Sequence, residues 1–153
     1  SNISLVSSKV YSSGEDTYSE ASFGINHYFA ESYTQNQFVL GYDTIHSNSV
    51  YSAIDVTFGE AVENQLATKM SLRAKVITKL ANKPLTLSAS YAAADGGMLL
   101  GVERSNETYS ISASYPLWGS LTASVGYRTT DSTIDYFDVS TPTFGVQFSS
   151  FNF

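Results

Sequence analysis

The chain has 153 residues, no cysteine and a formal net charge of −6; 14% of it is charged and 14% aromatic, against about 25% charged in an average soluble domain. Without cysteine, disulfides, thiolate metal sites and cysteine nucleophiles are excluded, and the acidic balance argues against a nucleic-acid partner, which wants a basic surface. The length suits a single domain over 1–153. No stretch approaches the roughly 18 apolar residues a membrane helix needs; Met98-Leu99-Leu100 and Tyr91-Ala92-Ala93-Ala94 are far too short. Ser1-Asn2-Ile3 carries no signal-peptide pattern, so an exported protein is expected here in mature or trimmed form.

In chain order, nine segments read as strands: 3–11, 18–29, 36–46, 50–60, 66–79, 84–93, 108–116, 120–130 and 142–153. Turn residues separate several of them, at Ser13-Gly14-Glu15-Asp16, Ser47-Asn48-Ser49, Asn82-Lys83-Pro84, Asp95-Gly96-Gly97 and Asp131-Ser132. Inside the segments apolar and small polar residues alternate. Phe23 and Ile25 alternate with Ser22 and Gly24, Leu40 and Tyr42 with Gly41 and Asp43, and Ile54 and Val56 with Asp55 and Thr57. Tyr109, Ile111 and Ala113 likewise alternate with Ser110, Ser112 and Ser114. A period of two puts one set on each face of a pleated strand.

The polar set is mostly Ser, Thr, Gly, Asn and Gln. A sheet facing bulk water would carry many Lys and Glu, whereas a confined lumen suits small polar side chains. Segments of this length and aromatics near predicted strand ends (Tyr28, Phe29, Tyr33, Phe58, Tyr91, Tyr115, Trp118 and Tyr127) point the same way. The expected fold is therefore all-β: a closed, antiparallel, up-and-down transmembrane β-barrel. An even strand count makes it eight, if 3–11 is no full span, or ten, if 98–104 pairs back through Ser105-Asn106. The turns favour ten.

The residues resemble the small outer-membrane β-barrels of Gram-negative bacteria. Two features carry the likeness. One is the strand–turn–strand phrase Ser114-Tyr115-Pro116-Leu117-Trp118-Gly119-Ser120-Leu121-Thr122, with aromatics beside the turn. The other is the end Phe148-Ser149-Ser150-Phe151-Asn152-Phe153, where Phe151 and Phe153 match the C-terminal signal read by the insertion machinery. Phe144, Val146 and Phe148 lie in the opposite phase, which predicts a bulge near Ser149-Ser150. The resemblance implies a bacterial outer-membrane location, with the bilayer, lipopolysaccharide and the insertion machinery as partners. It names a class and no activity.

Inside such a barrel, Lys69, Ser71, Arg73 and Lys75 share the lumen face of segment 66–79. A hairpin about Val62-Glu63 places Asp55 opposite Ser71, diagonally beside Lys69 and Arg73. Glu20, Asp43 and Arg128 also fall inward. Charges in a narrow lumen must pair or hydrate, so these residues are expected to plug it. The alternative is a narrow solute channel with a mildly basic lumen; a soluble lipid-binding barrel is a further one.

No catalytic, cofactor or metal site is expected. His27 reads as an interfacial residue, and His46, near Asp43, Ser47 and Ser49, only loosely echoes a Ser–His–acid set. Asp131, Asp135 and Asp138 lack a calcium-loop spacing. The acidic segments Gly14-Glu15-Asp16, Asp95 to Glu107 and Asp131 to Ser140 are expected as loops open to a protein partner.

Overall fold

Alternating β-branched, aromatic and small polar residues fit pleated backbone, and the chain folds as strands along nearly its whole length. The computed structural model describes residues 1–20, 25–46, 49–63, 65–99, 101–118 and 121–148, and their side chains except at 6, 8–20, 25–33, 99 and 148. The strands are β1 (Asn2–Glu20), β2 (Ile25–His46), β3 (Val50–Gly59), β4 (Ala67–Leu80), β5 (Lys83–Leu99), β6 (Val102–Pro116), β7 (Leu121–Ser132) and β8 (Val139–Phe148). A single 3-10 turn, Asp135–Phe137, lies before β8. The eight strands form one antiparallel sheet in sequential order. Among the described residues β1 and β8 do not pair, so the sheet is open.

Among the described residues the strand count is eight, and ten is corrected. Residues 2–20 and 25–46, read above within three strands, make one long antiparallel pair: Ser13 to Asp16 pair continuously with Phe29 to Ser32, and the ladder runs on to Glu20 opposite Ile25. The four turn-prone residues Ser13-Gly14-Glu15-Asp16, held inside a well-paired ladder, did not break it. Residues 98–104 make no extra strand; they close the β5–β6 hairpin, with Met98 opposite Glu103 and Leu99 opposite Val102. Asp95-Gly96-Gly97 is a bulge in that hairpin, where the register shifts, because glycine supplies the positive φ of 100° at Gly96. Asp95 to Glu107 is therefore mostly strand. The predicted bulge at Ser149-Ser150 lies outside the described residues.

The two ends of the sheet differ. At one end Leu80 pairs with Lys83 around the two-residue loop Ala81-Asn82, both with positive φ, as the right-handed twist of a hairpin favours. The β6–β7 turn closes with Leu117 N–H donating to Leu121 O at 2.9 Å. The Lys83 ammonium donates to Leu117 O and ties these two turns together. The opposite end carries the β3–β4 connection (60–66) and the β7–β8 connection (133–138). Short turns therefore sit beside Asn2 and the end of β8, while the far side carries these two longer connections together with the tips of the β1–β2 and β5–β6 hairpins.

A hydrophobic core is nearly absent. Ala67, 2% exposed, is the buried apolar residue among those described, while Ile54, Leu72, Ile111, Val125 and Phe144 are all exposed. The sheet is a single layer whose two faces are both open.

Candidate functional site

Residues directly opposite across antiparallel strands project from the same face, so the register sorts every described side chain. One row reads Ser4, Gly41, Asp55, Arg73, Ser90, Ser110, Arg128, Thr141. The next reads Asn2, Asp43, Ala53, Lys75, Ser88, Ser112, Gly126, Thr143. The opposite face carries Leu5, Leu40, Val56, Leu72, Tyr91 and Tyr109 in one row and Ile3, Tyr42, Ile54, Ala74, Ala89, Ile111 and Tyr127 in another. Leu40, Ile54, Val56, Leu72, Ile111 and Val125 thus share one face, and Asp55, Arg73, Ser112 and Ser124 the other. Phe23 and Ser22 lie outside the described residues. The Ile25 side chain also lies outside the described ones; its backbone pairs with Glu20 at the end of the β1–β2 ladder.

The apolar face forms a band. On β4 it runs from Met70 through Leu72, Ala74 and Val76 to Leu80, about 34 Å along the strand at roughly 3.4 Å per residue, or about 26 Å at a tilt of roughly 40°. Aromatics border it. Tyr91 and Tyr109 stack at 5.0 Å between ring centres, and the Tyr109 hydroxyl donates to Glu107 at 2.7 Å. At the turn end the Tyr115 hydroxyl donates to Leu80 O at 3.0 Å, and Trp118 is 72% exposed. Between these borders Ala74, Ala89 and Ala113 floor a shallow apolar groove of about 490 Å³.

The polar face holds the charges, with two corrections. Asp55 stands opposite Arg73, not Ser71, because the β3–β4 reversal is centred one residue further along than expected. Lys69 leaves the polar row: the ladder shifts between Thr68 and Met70, making Lys69 the extra residue of a bulge. Its ammonium pairs with Asp95 at 2.8 Å, beyond the apolar band, where that hydrogen bond and then the carboxylate charge hold Lys69 above its ordinary pKa. Asp55 forms no ion pair with Lys69 or Arg73, against expectation. Its carboxylate lies over Gly41, where an added Cβ would come within 2.7 Å of Oδ1.

Arg73 and Arg128 line one recess of about 360 Å³, floored by Ser90, Ala92 and Ser110. The two serine hydroxyls between the arginines hydrogen-bond each other at 2.7 Å. Lys75 lies one row below, and Asp43 accepts from the Asn2 amide at 3.2 Å. Glu20 lies at the β1–β2 tip, opposite Ile25. Towards the far end, Gln35 is 1% exposed and its amide donates to Glu60 O at 2.8 Å and Thr68 O at 2.6 Å, tying β2 to β4 and to the β3–β4 connection. Above β6, Phe137 stacks on the Arg104 guanidinium at 3.6 Å.

Of the loose Ser–His–acid set, Ser47 lies outside the described residues, and His46 and Asp43 do not meet. His46 hydrogen-bonds Ser52 at 2.8 Å, while Asp43, one residue out of phase, projects from the other face. The His27 side chain lies outside the described ones. Among the described residues no His, Asp and Glu group forms a metal cluster; Asp138 instead accepts from Ser132 N–H at 2.6 Å and shapes its loop. Phe151 and Phe153 lie outside the described residues.

Sequence reasoning missed Gly41 and the Ser90–Ser110 pair as parts of the charged face. The alternation already put Gly41 and Ser110 in the polar phase, but only strand pairing shows Gly41 opposite Asp55 and the two serines between the arginines. Compared with known protein families, curated protein sequences and solved structures, the chain finds no match.

Proposed function

We propose that the sheet closes on itself in the bacterial outer membrane, apolar face to lipid, as a barrel with a structural or interaction role. One observation carries this reading: a face of large apolar residues, about as tall as the hydrocarbon core a barrel crosses, has no protein layer over it. In water, so large a contiguous apolar surface is unfavourable. In lipid it is the required exterior. Support also comes from the opposite face, whose Ser, Gly and Thr rows leave room for strands to converge around a narrow lumen, and from the two longest connections, 60–66 and 133–138, lying at the same end. The longer connections would meet lipopolysaccharide or a protein partner.

A narrow anion-favouring channel is the second reading, favoured by Arg73 and Arg128, which have no carboxylate beside them in their recess. A soluble lipid-binding barrel would instead turn the apolar face inward. Gel mobility of the purified chain in detergent, with and without boiling, separates these readings when paired with size exclusion lacking detergent. The membrane barrel migrates differently before boiling and aggregates without detergent. A chain that stays monodisperse without detergent overturns the proposal. Steady anion-selective conductance in planar bilayers, abolished by Arg73→Glu, would favour the channel.

A further inference from the structure

Arg73 on β4 and Arg128 on β7 are separated by two strands, so their Cα atoms stand roughly 14 Å apart at about 4.8 Å per strand. An arginine side chain reaches nearly half that distance, and both line the same recess. Between them lie the hydroxyls of Ser90 and Ser110, with Thr108 and Asn106 on the rim. Every polar side chain there can donate a hydrogen bond, and none is a carboxylate. Neither arginine has a hydrogen-bonded or ion-paired partner among the described residues. The nearest acid in the register, Asp55, is drawn over Gly41, away from the recess. Two cations with no acid between them thus face one recess from opposite sides, on a chain whose net charge is −6.

We propose that this recess binds a small phosphorylated solute, a phosphate monoester carrying hydroxyl groups. Two guanidinium forks match a phosphate dianion, which carries about −1.5 to −2 at neutral pH and three acceptor oxygens. The volume of about 360 Å³ exceeds what a bare phosphate fills, since one water occupies about 30 Å³. The organic part takes the remaining space, its hydroxyls meeting Asn106 and Thr108. The polar face lies opposite the apolar band, so the ligand is a free solute and not a lipid headgroup. The recess rests on the β4–β7 register alone; only the exclusion of a lipid headgroup rests on the bilayer reading.

Calorimetric titration of the full chain in neutral maltoside micelles tests it, with glucose 6-phosphate, inorganic phosphate and glucose as ligands. Should the chain prove soluble alone, the same titrations run without detergent, so failure of the membrane reading leaves this test intact. Saturable binding of the sugar phosphate is expected, with inorganic phosphate weaker and glucose silent. Arg73→Gln and Arg128→Gln should each weaken it by about tenfold or more, while Lys75→Gln, one row below, should stay within about twofold. Unchanged β-sheet circular dichroism certifies each variant as folded. No saturable binding by the folded wild-type chain would overturn the proposal. So would equal losses in Lys75→Gln, which would mean diffuse charge, or inorganic phosphate binding as tightly as the ester.

Discussion

The carboxylate of Asp55 lies over Gly41 on β2, not against Arg73, which stands directly opposite it on β4. Gly41 lacks the Cβ that would occupy that space, at 2.7 Å from Oδ1 and close to the Ser4 hydroxyl as well. One missing methyl group thus separates an acid from the base beside it.

Gly41→Ala is therefore expected to drive Asp55 off β2 and onto Arg73. An exposed pair of this kind adds about 0–1 kcal/mol of stability, so the clearer effect is on the recess. Affinity for the phosphate ester should fall by about tenfold, and Asp55→Asn in the Gly41→Ala background should restore it. Calorimetry of both variants checks this. Unchanged affinity in Gly41→Ala would mean that the carboxylate moves elsewhere.

The apolar band carries a second expectation. Leu72→Arg puts a charge in the band, and in a bilayer it should cost about 2–4 kcal/mol near the midplane. Thr141→Arg, on the polar face, should cost much less. Urea unfolding from lipid vesicles measures both, and equal costs would remove the distinction between the faces.

Closure of the sheet makes a third expectation. Closing a barrel requires the strands to stagger, by about eight residues in the eight-stranded (β/α)8 case. The row through Ser4 and Thr141 has no stagger, and β1 continues well past Ser4 to Glu20. On closure β8 should therefore pair with the middle of β1. A disulfide should form in the refolded chain with Ser12→Cys and Thr141→Cys, and not with Ser4→Cys and Thr141→Cys. Free thiols in both pairs would show that the edges stay apart.

The β4–β5 turn offers the simplest stability test. Ala81 holds a φ of 49°, a conformation that costs a residue with a Cβ about 1 kcal/mol and glycine little. Ala81→Gly should stabilise the chain by up to about 1 kcal/mol, offset in part by a more flexible unfolded state. A shift of the urea midpoint to lower concentration would contradict this.

Period-two alternation by itself determined that the fold is all-β. It also determined that Leu40, Ile54, Leu72 and Ile111 oppose Asp55, Arg73 and Ser112, because side-chain direction along a strand follows from backbone geometry alone. Register and turns were decided only in three dimensions. Gly14, Glu15 and Asp16 look like a turn, yet continuous cross-strand pairing holds them in β1. Gly96 and Gly97 look like another and form a bulge. The bulge at Lys69 depends on how β4 meets β5, which no local pattern encodes, and it moves that cation from the polar row to Asp95. The separation of Asp55 from Arg73 likewise needed tertiary structure, since it depends on open space above a glycine of a third strand. A one-residue change in pairing decides which charges meet, and pairing is set by the whole ladder.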